Sequence, residues 1–139
     1  MSLGDDLIVT HVGDSPVCLF REGRLHRLTR DHTAAEQWRS TLSAGDAARV
    51  RHILTRAIGV PEAGGEPDVS RHKLADGDRL LLCTDGLTDM VDDEAIAREL
   101  GRAASADAAC QALVDRALEN GGKDNVTVVV AAYSITPAP

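Results

Sequence analysis

Aromatic side chains are almost missing from this chain: one Trp, one Tyr and one Phe make up 2% of 139 residues. The interior must therefore be assembled from Leu, Val, Ile and Ala. No apolar run approaches the roughly 20 residues that cross a bilayer, and no charged-then-apolar leader opens the chain, so neither a membrane span nor a signal peptide is expected. Cysteine is sparse: Cys18, Cys83 and Cys110 are an odd count, widely spaced, with no CxxC. That pattern speaks against a disulfide framework, a zinc site or a redox pair. It fits buried thiols in a reducing, cytoplasmic setting. The five histidines (11, 26, 32, 52 and 72) show no HExxH-like spacing, and each reads as a surface or packing residue. Basic residues are outnumbered, 15 against 22, for a net charge of −7. Nucleic acid is therefore not an expected partner, because its binding rests on Lys and Arg neutralising phosphates. An acidic chain can still act on phosphate if bound cations reverse the local sign.

What is present is ordinary for one globular domain, with 43% hydrophobic and 27% charged residues. Leu7 to Val12 reads as a strand ending in the turn Gly13-Asp14-Ser15. Val17 to Phe20, a polar turn at Arg21-Glu22-Gly23-Arg24 and Leu25 to Leu28 read as a hairpin. Thr33 with Glu36 is a capping box, predicting a helix whose apolar face carries Trp38 and Leu42. Asp46 is the expected cap of a second helix carrying Val50, Ile53 and Leu54. Val60 to Glu66 is a loop. Asp68 to Leu74 reads as an edge strand, and Asp76-Gly77-Asp78 as a tight turn. Arg79 to Thr84, apolar without alternation, reads as a strand buried on both faces. Helices capped at Asp92 or Asp93 and at Ser105 follow, the second stopped by Asn120-Gly121-Gly122. Asn125 to Tyr133 is the last strand. The order predicts an α+β fold with antiparallel pairing and helices on one face.

Three aspartates occupy matching places where a strand meets a turn: Asp14 in Gly-Asp-Ser, Asp85 in Thr-Asp-Gly and Asp124 in Lys-Asp-Asn. Site residues on a sheet scaffold concentrate at such ends. Asp-Gly and Gly-Asp are also common turn dipeptides, so any one of the three alone reads as a turn residue. If the three ends meet, two carboxylates 4 Å apart repel by about 4 kcal/mol at an effective dielectric near 20. Hard divalent ions, Mg²⁺ or Mn²⁺, would relieve that repulsion and acidify a bound water for phosphoryl transfer.

Four stretches carry a family resemblance: His11-Val-Gly-Asp-Ser15 continuing through Leu28-Thr-Arg-Asp-His32; Leu54-Thr-Arg-Ala-Ile-Gly59; Asp76-Gly-Asp-Arg-Leu-Leu-Leu-Cys-Thr-Asp-Gly-Leu87; and Gly121-Gly-Lys-Asp-Asn-Val-Thr127. In this order they resemble the metal-dependent protein phosphatases of the 2C family. The resemblance implies a sandwich of two antiparallel sheets flanked by helices, of which this chain holds the C-terminal portion. It places a partial phosphatase domain at residues 4–135; from the sequence itself, 1–3 read as added start residues and 136–139 as a disordered tail. The resemblance implies Asp85 as a carboxylate shared between a dinuclear Mg²⁺ or Mn²⁺ site and a weaker third ion. Asp124 would be a ligand of a core ion and Asp14 a ligand of the third. Gly86, Asn125 and Ser15 would be backbone or outer-sphere neighbours. The attacking group would be metal-bound water, with no nucleophilic serine.

The family's N-terminal half has no counterpart here. It holds a phosphate-gripping Arg, an acidic metal ligand and an Asp-Gly-His-Gly-Gly-like stretch. Residue 16 is Pro, where the family often has Arg. The expectation is thus part of a Ser/Thr protein phosphatase acting on a phosphoprotein, with the isolated chain inactive and prone to self-association through exposed strand edges. The alternatives are a truncated pseudophosphatase serving as a binding or regulatory module, and a related bacterial phosphatase of the sporulation-regulator type.

Overall fold

The computed structural model describes residues 2–59 and 65–135. Among these described residues, seven strands form two antiparallel sheets. The smaller contains β1 (Ser2–Leu3), β2 (Asp6–His11) and β5 (Asp68–Lys73), in that order. The larger runs β4 (Arg24–Arg27), β3 (Val17–Arg21), β6 (Arg79–Cys83), β7 (Val128–Ala132). The smaller sheet begins inside the segment read as an added start, since Ser2 pairs with Leu7 and Leu3 with Asp6. Residues 60–64 of the loop expected at 60–66, and the 136–139 tail expected from sequence, lie outside the described residues.

The β3–β4 hairpin forms as the sequence predicts. Arg21 pairs with Arg24 across a two-residue turn in which Glu22 and Gly23 both take positive φ (51° and 78°). That turn matches the twist of the flanking strands, which is why Gly is placed there. β2 does not join this hairpin. It pairs along its whole length with β5, so residues 12–16 carry the chain from one sheet to the other.

The larger sheet is covered on both faces. Cys18, Leu81 and Cys83 point to helices α4 (Asp93–Arg102) and α5 (Ala106–Glu119), where they pack with Leu87, Ile96, Leu100 and Leu113. Leu19 and Leu80 point the other way, onto Leu7, Val9 and Leu74 of the smaller sheet's side. Burial pushes the Cys18 thiol up to about 11 and Cys83 to about 12, so both are inert packing groups. The expectation of burial on both faces fails at the end of β6. Leu82 is 42% exposed, and its cross-strand partner Val129 is 53% exposed. The smaller sheet does not cover that corner.

The helical region after β4 is also less regular than its pattern suggests. α1 (Ala34–Gln37) is a single turn capped by Thr33, and Trp38 beyond it is exposed. Glu36 does not complete the capping box; its carboxylate takes the Arg30 guanidinium instead. α2 (Ala44–Val50) starts one turn earlier than expected. Ser43 caps it by accepting from Asp46 N–H while its hydroxyl donates to the Asp46 carboxylate. α2 ends before Ile53 and Leu54, which are exposed.

Candidate metal centre

Asp14 sits in the crossing between sheets. Gly13 takes φ +108°, a conformation that side chains disfavour, and delivers Asp14 half-buried beside the start of a short helix. That helix, α3 (Asp85–Thr88), follows β6 directly. The sequence reading made Thr84-Asp85-Gly86 a turn. Here Thr84 is instead the N-cap residue and Asp85 the first helical residue, with the Asp89 N–H donating to Asp85 O at 2.8 Å.

Asp14 and Asp85 line one cleft of about 410 Å³, together with Asp31, Asp89, Asp93, His52 and Arg51. Loss of water and then the Asp85 charge push the Asp14 carboxyl above the usual carboxylate range. Asp31 is raised too, first by burial, with Asp14 adding to it, although Arg27 holds its carboxylate at 2.7 and 2.8 Å. This is the signature of carboxylates gathered without enough positive charge.

Two further groups that sequence reasoning missed face Asp85. His52 Nδ1 lies 3.6 Å from Asp85 Oδ2, and His52 Nε2 lies 3.8 Å from Asp89 Oδ2. One donor atom from each of His52, Asp85 and Asp89 falls within a 4.8 Å circle. The carboxylate oxygens of Asp85 and Asp89 suit a hard divalent ion, Mg²⁺ or Mn²⁺, whereas the His52 imidazole is a donor that softer divalent ions prefer. Asp89 could have been found in the sequence: with Asp85 helical, the i, i+4 spacing puts both carboxylates on one face. His52 left no local signal, because its approach to Asp85 is tertiary.

Asp124 does not line this cleft. It is exposed, and its Oδ1 accepts from the Asn125 N–H at 2.7 Å. Its loop is nevertheless locked to the start of α3. The Thr84 hydroxyl donates to Asn125 O at 3.1 Å and accepts from Thr127 N–H at 3.1 Å, while Thr84 N–H donates to Thr127 O. A Cβ on Gly86 would lie 2.3 Å from Asn125 O, so only glycine allows this approach. Ser15 is exposed.

The profile of the family described as Protein phosphatase 2C matches residues 2–126. The chain belongs to the protein phosphatase 2C family. Among curated relatives, it is 39% identical over 132 residues to the serine/threonine protein phosphatase PstP of Mycobacterium tuberculosis, covering 92% of this chain and 25% of that protein. It is 32% identical to the serine/threonine phosphatase stp of Listeria monocytogenes, covering 94% of this chain and 53% of the relative. The S. agalactiae serine/threonine phosphatase structure superposes with a TM-score of 0.87 at 35% identity, over 96% of this chain and 56% of that one. The catalytic domain of PstP, solved in complex with two manganese ions, gives 0.81 at 36%, over 97% and 56%. The chain thus spans about half the length of these structures. The family fold accounts for the paired sheets and for α4 and α5 on the larger one. No helix among the described residues is long and apolar enough to cross a membrane.

Proposed function

We propose that this protein phosphatase 2C chain supplies part of the metal centre of a Ser/Thr protein phosphatase acting on phosphoserine and phosphothreonine in proteins. The observation that carries the reading is the shared cleft of Asp14 and Asp85, where burial and then the Asp85 charge raise the cost of ionising Asp14. Asp14 and Asp85 would hold a divalent ion, with His52 and Asp89 beside Asp85. Asp124, on the loop clamped to Gly86, would serve a core ion. Mg²⁺ or Mn²⁺, when bound, supplies an acidified water and offsets phosphate charge. The chain's own contribution is placement. β6 and the bonds of Thr84 to the 125–127 loop place Asp85, the 12–16 crossing places Asp14, and Arg27 and Arg51 bond the neighbouring Asp31 and Asp89.

Relatives extend well beyond the aligned region, and we infer that hydrolysis needs residues outside these 139. The exposed Leu82–Val129 corner supports this, because it is an apolar surface awaiting cover. On its own the chain is expected to bind Mn²⁺, self-associate and leave phosphopeptides uncleaved.

Calorimetric titration of the chain with Mn²⁺ tests the site. Binding that Asp85→Asn weakens at least about 10-fold supports it. Binding indifferent to Asp85 overturns it and favours a non-enzymatic binding module.

A further inference from the structure

His32 is buried behind the Asp14 turn and makes more connections than a packing residue needs. Its backbone N–H donates to Gly13 O at 2.8 Å, and its ring Nδ1 accepts from Gly13 N–H at 3.1 Å. One residue therefore holds both backbone polar groups of the glycine preceding Asp14. The Gly13 bond also sets the ring's protonation. Nδ1 must carry the lone pair, so Nε2 carries the hydrogen and donates to Asp68 Oδ2 at 3.0 Å. Arg56 Nη1 lies 3.3 Å from the same Nε2, but two donors cannot bond each other. Arg56 instead donates to Asp68 Oδ1 at 2.7 Å. The His32 carbonyl accepts from Thr55 N–H at 2.8 Å, and the His11 ring packs against the His32 ring at 5.0 Å between centroids. His32 thus ties the Asp14 turn to the 55–56 segment and to the first residue of β5.

Resting on the phosphatase reading above, we propose that His32 is a positioning residue for Asp14, held in one tautomer by Asp68. The Gly13 peptide is the link. Its N–H and C=O fix the φ/ψ values that aim the next side chain into the cleft. No strand partner does this, because residues 12–16 lie between sheets. Asp68 acts as an outer carboxylate toward a histidine that touches no ion itself, and its role is to keep Nδ1 free to accept.

The substitutions separate position from bulk. In His32→Asn the amide oxygen falls near Nδ1 and keeps an acceptor for Gly13 N–H. In His32→Gln the amide falls near Nε2 and leaves that N–H unpaired. Mn²⁺ is titrated into the chain to millimolar concentration and followed by electron paramagnetic resonance, with melting temperature measured alongside. His32→Gln and His32→Ala are expected to weaken Mn²⁺ about 10-fold, and His32→Asn to stay within about two-fold of the parent. Asp68→Ala, which spares the turn itself, is expected to weaken binding by up to about 10-fold, with a small fall in melting temperature because the buried Nε2–H loses its acceptor. Equal affinity in all four variants overturns the inference while leaving the Asp85-dependent site intact. If the His32 variants do not fold, Asp68→Ala decides alone, and unchanged affinity there overturns the inference. Parent binding that ignores Asp85→Asn fails the site reading itself, and the His32 role with it.

Discussion

Arg21 reaches from the end of β3 and closes on Asp78 with both arms of its guanidinium: Nε donates to Oδ1 at 2.8 Å and Nη2 to Oδ2 at 2.6 Å. The same Nη2 donates to Lys73 O at 2.8 Å, and Ala75 N–H donates to Asp78 Oδ2 at 2.7 Å. Arg21 belongs to the larger sheet, Lys73 ends the smaller one, and Asp78 lies in the turn between β5 and β6. One arginine therefore fastens the two layers at the end away from the Asp14–Asp85 cleft. Asp78 is only 1% exposed, so its charge depends on these donors. Arg21→Ala leaves a buried carboxylate without its cation and is expected to cost about 3 kcal/mol, the low end for such a break because Arg21 is partly exposed. The urea midpoint reads it; a change below about 0.5 kcal/mol contradicts this account.

The same pair makes stability depend on acid. The Arg21 guanidinium, more than the Ala75 N–H, holds the Asp78 carboxyl below its ordinary value of 3.8. A carboxyl lowered on folding contributes stability that is complete above the unfolded value. That contribution fades as pH falls below 3.8 and through the folded pKa. Asp78→Asn should lose stability at pH 7 and show a flatter decline below pH 4, measured by thermal melting across pH. A variant with the parent's acid slope shows that other carboxylates govern it.

Gly86 lets the Asp85 helix and the Asp124 loop approach within van der Waals distance. A methyl group there meets the Asn125 carbonyl, which is backbone and cannot swing aside. Gly86→Ala is expected to destabilise by about 2–3 kcal/mol and to weaken Mn²⁺ binding. Calorimetric unfolding and metal titration of the same sample check both. A neutral variant contradicts the close approach.

Asp14 carries the opposite sign from Asp78. Burial and Asp85 raise its carboxyl above 3.8, so ionisation opposes folding of the metal-free chain. Its destabilising effect is present at neutral pH and is relieved as pH falls through the raised folded value. Asp14→Asn should therefore stabilise the metal-free chain by about 0.5–1 kcal/mol while weakening its Mn²⁺ affinity. Melting curves with and without Mn²⁺ should cross over between parent and variant. A variant destabilised in both conditions rules out the repulsion.

Much of this arrangement was legible in the chain because local chemistry carried it. Glu22-Gly23 announced the hairpin, Ser105 and Asp92 announced their helices, and Gly-Asp-Ser and Asp-Gly marked two carboxylates that the fold brings to one cleft. What failed was tertiary. Trp38 and Leu42 have helical spacing, but Trp38 is exposed and contributes no buried face, and α1 stops after one turn. Leu82 reads like Leu81, yet only one of them has a layer over it. Asp85 was read as a turn residue because four residues of helix leave no periodicity. His52 reaches the centre through folding alone.

The two cores of the larger sheet are unequal. Ten buried residues lie on its helix side and four between the sheets. Amide hydrogens of Leu81 and Cys83, in a strand flanked by β3 and β7, should exchange with solvent only through global opening. Those of β1 and β5 should exchange through smaller local openings, since β1 and β5 are the outer strands of the thinner layer. Asp14 lies on the crossing between the two layers and Asp85 on the slow one. Separation of the layers would therefore part the two carboxylates before the rest of the domain melts, and an ion held by both would slow exchange across β2 and β5.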